Sequence, residues 1–115
     1  MITIQPITPL NASLFKAVRL SALRDAPYAF SSTYARESQL ADCEWLARAE
    51  RMSGDRGSGF LAMDGDIACG IVGSLLDQND QTRAQLVSMW TAPTYRQQGI
   101  GRLLVNEVVN WARPP

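Results

Sequence analysis

The residues best suited to chemistry sit close together near the end of the chain, in Arg96-Gln97-Gln98-Gly99-Ile100-Gly101-Arg102. They follow an apolar run, Gln85-Leu86-Val87-Ser88-Met89-Trp90, which reads as a strand closed by Pro93. A helix is expected to begin at the glycines, because Ile100, Leu103, Leu104, Val108 and Trp111 fall on one face. A strand, a glycine-bearing loop and a helix start make an anion site. The first amides of a helix have no acceptor inside it, and the helix dipole favours negative charge beside them. Gly99 and Gly101 lack a Cβ, so an anion can approach the backbone nitrogens. Each charge-assisted hydrogen bond contributes roughly 1.5–3 kcal/mol, and several together could hold a pyrophosphate.

Two common phosphate motifs do not fit. There is no GxxxxGK[ST] run, and a dinucleotide fingerprint would need glycine where Leu104 stands and an acidic residue well beyond it. The absence of histidine excludes Ser-His-Asp triads, Cys-His pairs and His-ligated zinc, and no metal site is expected. With 11 basic and 11 acidic side chains the chain offers no field for nucleic acid. Cys43 and Cys69 read as reduced thiols, a lone disulfide being the alternative. No secretory leader or bilayer-length apolar run is present, so a cytoplasmic location and no membrane partner are expected.

The elements that must position the loop follow from periodicity and punctuation. Ile2-Thr3-Ile4-Gln5 alternates and predicts a first strand. Thr8-Pro9 offers a cap for a helix over residues 9–24, which Asp25-Ala26-Pro27 breaks. A loop with a short helix follows, then a helix capped by Asp42 that turns Trp45, Leu46 and Ala49 inward. Asp64-Gly65-Asp66 predicts a hairpin between residues 60–63 and 67–76, and another strand is expected over residues 82–90. The order β-α-α-β-β-β-α gives an α/β domain with an antiparallel meander. At 115 residues the chain is one domain or less.

Arg96-Gln97-Gln98-Gly99-Ile100-Gly101 resembles the [Q/R]xxGx[G/A] signature of the GNAT N-acetyltransferases. The strand to Trp90, the Pro93-to-Arg96 spacing and the segment Arg19-Leu20-Ser21-Ala22-Leu23-Arg24-Asp25-Ala26-Pro27-Tyr28-Ala29-Phe30 look like that family too. The resemblance implies a GNAT-like mixed sheet flanked by helices, with strand and helices over residues 1–52. The hairpin, central strand and coenzyme A-binding loop and helix would then occupy residues 59–113. It also implies acetyl-CoA as cofactor and an amine acceptor, on a small molecule or a protein. Backbone groups of Met89, Trp90 and Thr91 would pair with the pantetheine arm, the Met89 amide facing the acetyl carbonyl as catalytic donor. Gln97, Gln98, Gly99, Ile100, Gly101 and Arg102 would cradle the pyrophosphate, while Arg96 either adds charge there or ties the loop. Ser31, Ser32, Tyr34 and Glu37 fall where the family forms a wall of the acceptor site.

Two departures qualify the resemblance. Gln85 stands where some relatives carry a glutamate base, and an amide cannot accept that proton; water relayed to Glu37 is the substitute considered. Family members also continue past this helix, so the fold is expected to be C-terminally incomplete. Val105, Val109 and Ala112 then widen the helix's apolar face beyond one sheet contact. A homodimer or a partner chain would cover it. The alternative to an enzyme is therefore a non-catalytic acyl-CoA-binding module that pairs with itself or another chain.

Overall fold

The computed structural model describes residues 1–30, 32–77, 79–80 and 83–113. Strand β1 (Ile2–Pro6) leads through a 3-10 turn (Pro9–Asn11) into helix α1 (Ala12–Asp25). A short helix α2 (Tyr34–Glu37) and helix α3 (Asp42–Arg51) follow, then strands β2 (Gly57–Asp64), β3 (Ile67–Leu76) and β4 (Ala84–Thr91). Helix α4 (Ile100–Ala112) is the last element described. The strands lie in chain order β1-β2-β3-β4, each antiparallel to its neighbour, so β4 is an edge.

Period-2 alternation builds two cores, one on each face of the sheet. Leu61, Met63, Ile71 and Trp90 pack with Phe15, Val18, Ala22, Trp45 and Ala49 of α1 and α3. Ala62, Cys69 and Val72 point the other way and meet Ile100, Leu104 and Val108 of α4. The Phe15 and Trp45 rings meet edge-on at 5.5 Å. Gly65 takes φ +60° in the two-residue turn that joins β2 and β3.

Several expectations shift in detail. The helix expected over residues 9–24 starts three residues later, because Thr8 Oγ1 accepts the Leu10 amide and caps a 3-10 turn first. Asp42 is not the cap of α3: it is the first helical residue, Ala41 stands at the cap, and Glu44 Oε2 accepts the Ala41 amide at 3.0 Å. Leu46 faces solvent rather than the core, and Trp111 is only half-buried. Both cysteines are free thiols, Cys43 exposed and Cys69 buried. No helix among the described residues is long and apolar enough to cross a membrane.

The sheet carries two irregularities that no pattern in the sequence announced. Ala62 pairs with Gly70 and Met63 with Ala68, so Cys69 is an extra residue of β3 that turns to the α4 face. The second lies between β3 and β4. Gly73 pairs with Ser88, yet Ser74 pairs with Leu86, so Val87 is the extra residue of a β-bulge in β4. A bulge kinks the strand and re-aims side chains next to it. Val87 and Ser88 consequently both border a cavity on the α1/α3 face, while Leu86 borders a groove against α4.

Candidate functional site

The open edge of β4 can be read residue by residue. The Ala92 amide donates to the Cys69 carbonyl at 2.8 Å, which makes these two a hydrogen-bonded pair. Such pairs alternate along an antiparallel ladder. Ile71 and Trp90 form the next one, and the pairs Gly70–Thr91 and Val72–Met89 between them are open. The main-chain N–H and C=O of Met89 and Thr91 therefore face away from β3. The Trp90 main chain faces β3, which corrects the expectation that all three residues offer free backbone groups. Thr91 shows its orientation directly, since its carbonyl accepts Arg96 Nε at 3.0 Å.

Beyond β4 the chain runs through a 3-10 turn (Pro93–Tyr95) into α4. Tyr95 O–H donates to Asp64 Oδ2 at 2.8 Å, and Arg96 Nη2 donates to Asp25 Oδ2 at 2.6 Å. That same Asp25 oxygen accepts the Trp90 indole N–H at 2.9 Å. The indole hydrogen bond and the Arg96 guanidinium together hold the Asp25 carboxyl below its ordinary value, against a smaller opposing push from burial. Arg96 thus has two of its nitrogens committed to fastening the loop to the end of α1 and the end of β4.

The loop then turns through two left-handed residues, Gln97 at φ 65° and Gly99 at φ 79°. Glycine takes this conformation freely, whereas a glutamine is strained there by about 1 kcal/mol. Gly99 is the cap residue of α4, so no side chain caps the helix, and its first turn holds no acidic residue. The helix's own ladder begins with the Leu103 amide donating to the Gly99 carbonyl at 3.2 Å. The amides of Ile100, Gly101 and Arg102 precede that bond and have no acceptor within the helix. A Cβ built on Gly99 would meet nothing within 4 Å, so the approach is open; one on Gly101 would lie 3.1 Å from Met89 Cε. Ile100 buries its side chain in the core, whereas Gln97, Gln98 and Arg102 are exposed. The Met89 side chain and the start of α4 are in contact, which brings the outward-facing strand amide and the uncapped helix end into one neighbourhood.

The sequence matches the family model described as Acetyltransferase (GNAT) family over residues 17–115. The chain belongs to the GNAT acetyltransferase family. Its fold is similar to that of a GNAT-family acetyltransferase from Streptococcus pneumoniae, at TM-score 0.76 and 23% identity, over 97% of this chain and 67% of that one. It is also similar to the PaiA N-acetyltransferase of Thermoplasma acidophilum in complex with coenzyme A, at TM-score 0.75 and 15% identity, over 97% and 72%. An aminoglycoside acetyltransferase from an uncultured soil metagenomic sample matches at TM-score 0.70 and 16% identity, over 96% and 70%. The chain thus spans 67–72% of the length of these three structures. No curated protein sequence matches it. The GNAT family takes its acetyl group from acetyl-CoA, and the residues present fit that donor: uncapped amides, no carboxylate in the first helical turn, and an open approach over Gly99.

Tyr34 and Glu37, expected to line an acceptor site, are both held by arginines. Glu37 is fully buried, at 1% exposure, under a double clamp. Arg19 Nε and Nη2 donate to its two oxygens at 3.0 and 2.9 Å, and Arg48 Nη1 donates to Oε1 at 2.9 Å. Burial by itself would raise its carboxyl, but the hydrogen bonds from Arg19 and Ser32 and the charges of Arg19 and Arg48 outweigh it and bring it down to about 2. A carboxylate so acidic is a poor proton acceptor, which argues against the relay role considered for Glu37. The clamp continues to β4, where Arg19 Nη1 donates to Ser88 Oγ at 2.8 Å beside the bulge. Tyr34 accepts Arg24 Nη2 on its hydroxyl at 2.7 Å, and the same guanidinium lies over its ring. Ser31 lies outside the described residues. Among the described residues no three metal-ligating side chains come together.

Proposed function

We propose that this protein transfers an acetyl group from acetyl-CoA to a primary amine. The observation that carries the reading is the uncapped start of α4, with its three orphan amides, next to the outward-facing N–H of Met89. The amides of residues 97–102 would hold the diphosphate through hydrogen bonds and the helix dipole. Acetyl-CoA supplies an activated thioester. The Met89 amide is oriented to donate to the acetyl oxygen as negative charge gathers on it, and a fixed donor of this type commonly contributes 10²–10³ in rate. Arg96, held by Asp25 and Thr91, keeps the loop in shape and so fixes those amides in advance. The remaining contribution is alignment of amine and thioester.

Calorimetry with coenzyme A tests the reading. Gly99→Glu with Gly101→Glu puts charge and bulk against the diphosphate and should abolish binding in a folded protein. Unchanged affinity in that variant would sink the site assignment.

One observation favours a second reading, in which the chain binds an acyl-CoA and pairs with another chain. Leu86 of β4 and Val105, Val108, Val109 and Ala112 of α4 border an apolar groove of about 420 Å³, and Leu86 and Val109 are 44% and 45% exposed. Coenzyme A binding without thiol release from acetyl-CoA, across a panel of amines, would favour it over the enzyme.

A further inference from the structure

On the face of the sheet opposite α4, helices α1 and α3 and strands β3 and β4 border a half-open cavity of about 190 Å³. Arg19, Arg48 and Arg51 border it together with Ser74, Val87 and Ser88 in an otherwise apolar lining, and among the described residues no acidic side chain does. Val87 and Ser88 are the bulge of β4 and immediately precede Met89, so the cavity adjoins the strand segment whose amide faces the acetyl group.

The charges there do not cancel. Among the described residues Glu37 is the sole carboxylate paired with Arg19 and Arg48, one anion against two guanidiniums. Arg51 has no ion-pair or hydrogen-bond partner among the described residues. Three cations against one anion leave an excess of two positive charges around the cavity. Arg48 has only one nitrogen engaged by hydrogen bonding, and its side chain stays 30% exposed. A guanidinium fork matches the oxygens of a carboxylate or phosphate and repels an ammonium. The Glu37 clamp also fixes Arg19 and Arg48 in advance, so little ordering is needed when a ligand arrives.

We infer that this cavity receives the anionic end of the acceptor, making the substrate class an amine that carries a carboxylate or phosphate. A polycationic amine such as an aminoglycoside fits poorly. The inference rests on the acetyltransferase reading for its amine, and its test is separable from that reading.

Thiol release from acetyl-CoA is followed with ω-amino acids from β-alanine to 6-aminohexanoate, each against its carboxamide. O-phosphoethanolamine and an aminoglycoside are the remaining arms. The carboxylate series should show the lower KM at one spacer length, and that preference should fade as salt is raised. A lower KM for phosphoethanolamine than for any carboxylate would identify phosphate as the anion. Arg51→Gln should reduce the carboxylate-over-carboxamide preference by roughly three- to ten-fold, the loss expected for one partly solvated charge-assisted hydrogen bond. If no amine turns over, the same pairs are titrated by calorimetry into protein saturated with coenzyme A, where carboxylates should bind and carboxamides should not. Equal KM or equal binding across the pairs, no binding of any anion, or a preference for the aminoglycoside overturns the inference. Coenzyme A affinity, measured alone, reports separately on the acetyltransferase reading.

Discussion

Arg96 and Asp25, 71 positions apart, are joined by a 2.6 Å hydrogen bond that fastens the loop before α4 to the end of α1. A tie and a ligand contact predict different mutant behaviour. If Arg96 acts through the loop, Asp25→Ala and Arg96→Ala should each weaken coenzyme A binding by a similar factor, roughly three- to ten-fold, and the double variant should be little worse than either. If the guanidinium instead touches the diphosphate, Arg96→Ala alone should be far more damaging. Calorimetry on the four proteins of the cycle separates the two.

Glu37→Gln leaves the Arg19 and Arg48 guanidiniums without their counter-charge in a buried place. Removing one partner of a buried ion cluster costs about 3–5 kcal/mol. In a domain of this size the melting temperature should fall on the order of 10–20 °C. A proton-accepting role would give the opposite pattern, a variant that melts normally but loses turnover. Thermal melts beside thiol-release rates tell them apart.

Much of this arrangement was legible in the residues. The β-α-α-β-β-β-α order, the hairpin at Gly65 and the helix start at Gly99 follow from local patterning, because alternation, turn residues and caps are properties of neighbours in the chain. What was hidden depends on distant partners. Asp25 was visible only as a helix breaker, since nothing local marks it as the acceptor for Trp90 and Arg96. Glu37 looked like a candidate base because its two clamping arginines come from other helices. The bulge at Val87 had no glycine to announce it, and the left-handed Gln97 carries a residue that seldom adopts that conformation. The exposed Leu46 shows the same limit in reverse: α3 turns only a narrow stripe inward, and side-chain type alone could not say which edge of the stripe stays wet.

The acid limb of stability should belong largely to Glu37. Its carboxyl is depressed in the folded protein from 4.5 to about 2. A depressed carboxylate stabilises the fold above its unfolded value and loses that contribution as pH falls towards the folded one. A contribution of roughly 3 kcal/mol is therefore present above about pH 4.5 and lost progressively down to about pH 2. Asp25, also depressed, loses its contribution in the same direction below its ordinary 3.8. Urea midpoints measured between pH 6 and 2 should stay level and then drop across this window. In Glu37→Gln that drop should be much reduced.

The amide assigned to the acetyl oxygen belongs to the backbone, and proline is the substitution that removes it. Proline is ruinous in most strands because the lost N–H breaks the ladder. At position 89 the N–H faces away from β3, so pairing with Val72 does not depend on it, and an edge strand can accommodate proline on that side. Met89→Pro should therefore fold with a modest stability loss and retain much of its coenzyme A affinity, since the amides of residues 97–102 are untouched. Turnover should fall by about 10²–10³, the usual consequence of deleting one donor to a developing oxyanion. Met89→Ala keeps the amide and trims only the side chain against Gly101, so it should retain most of the activity. If Met89→Pro folds, binds coenzyme A and turns over as fast as Met89→Ala, the strand amide is not the donor, and the acetyl group lies elsewhere along the β4 edge.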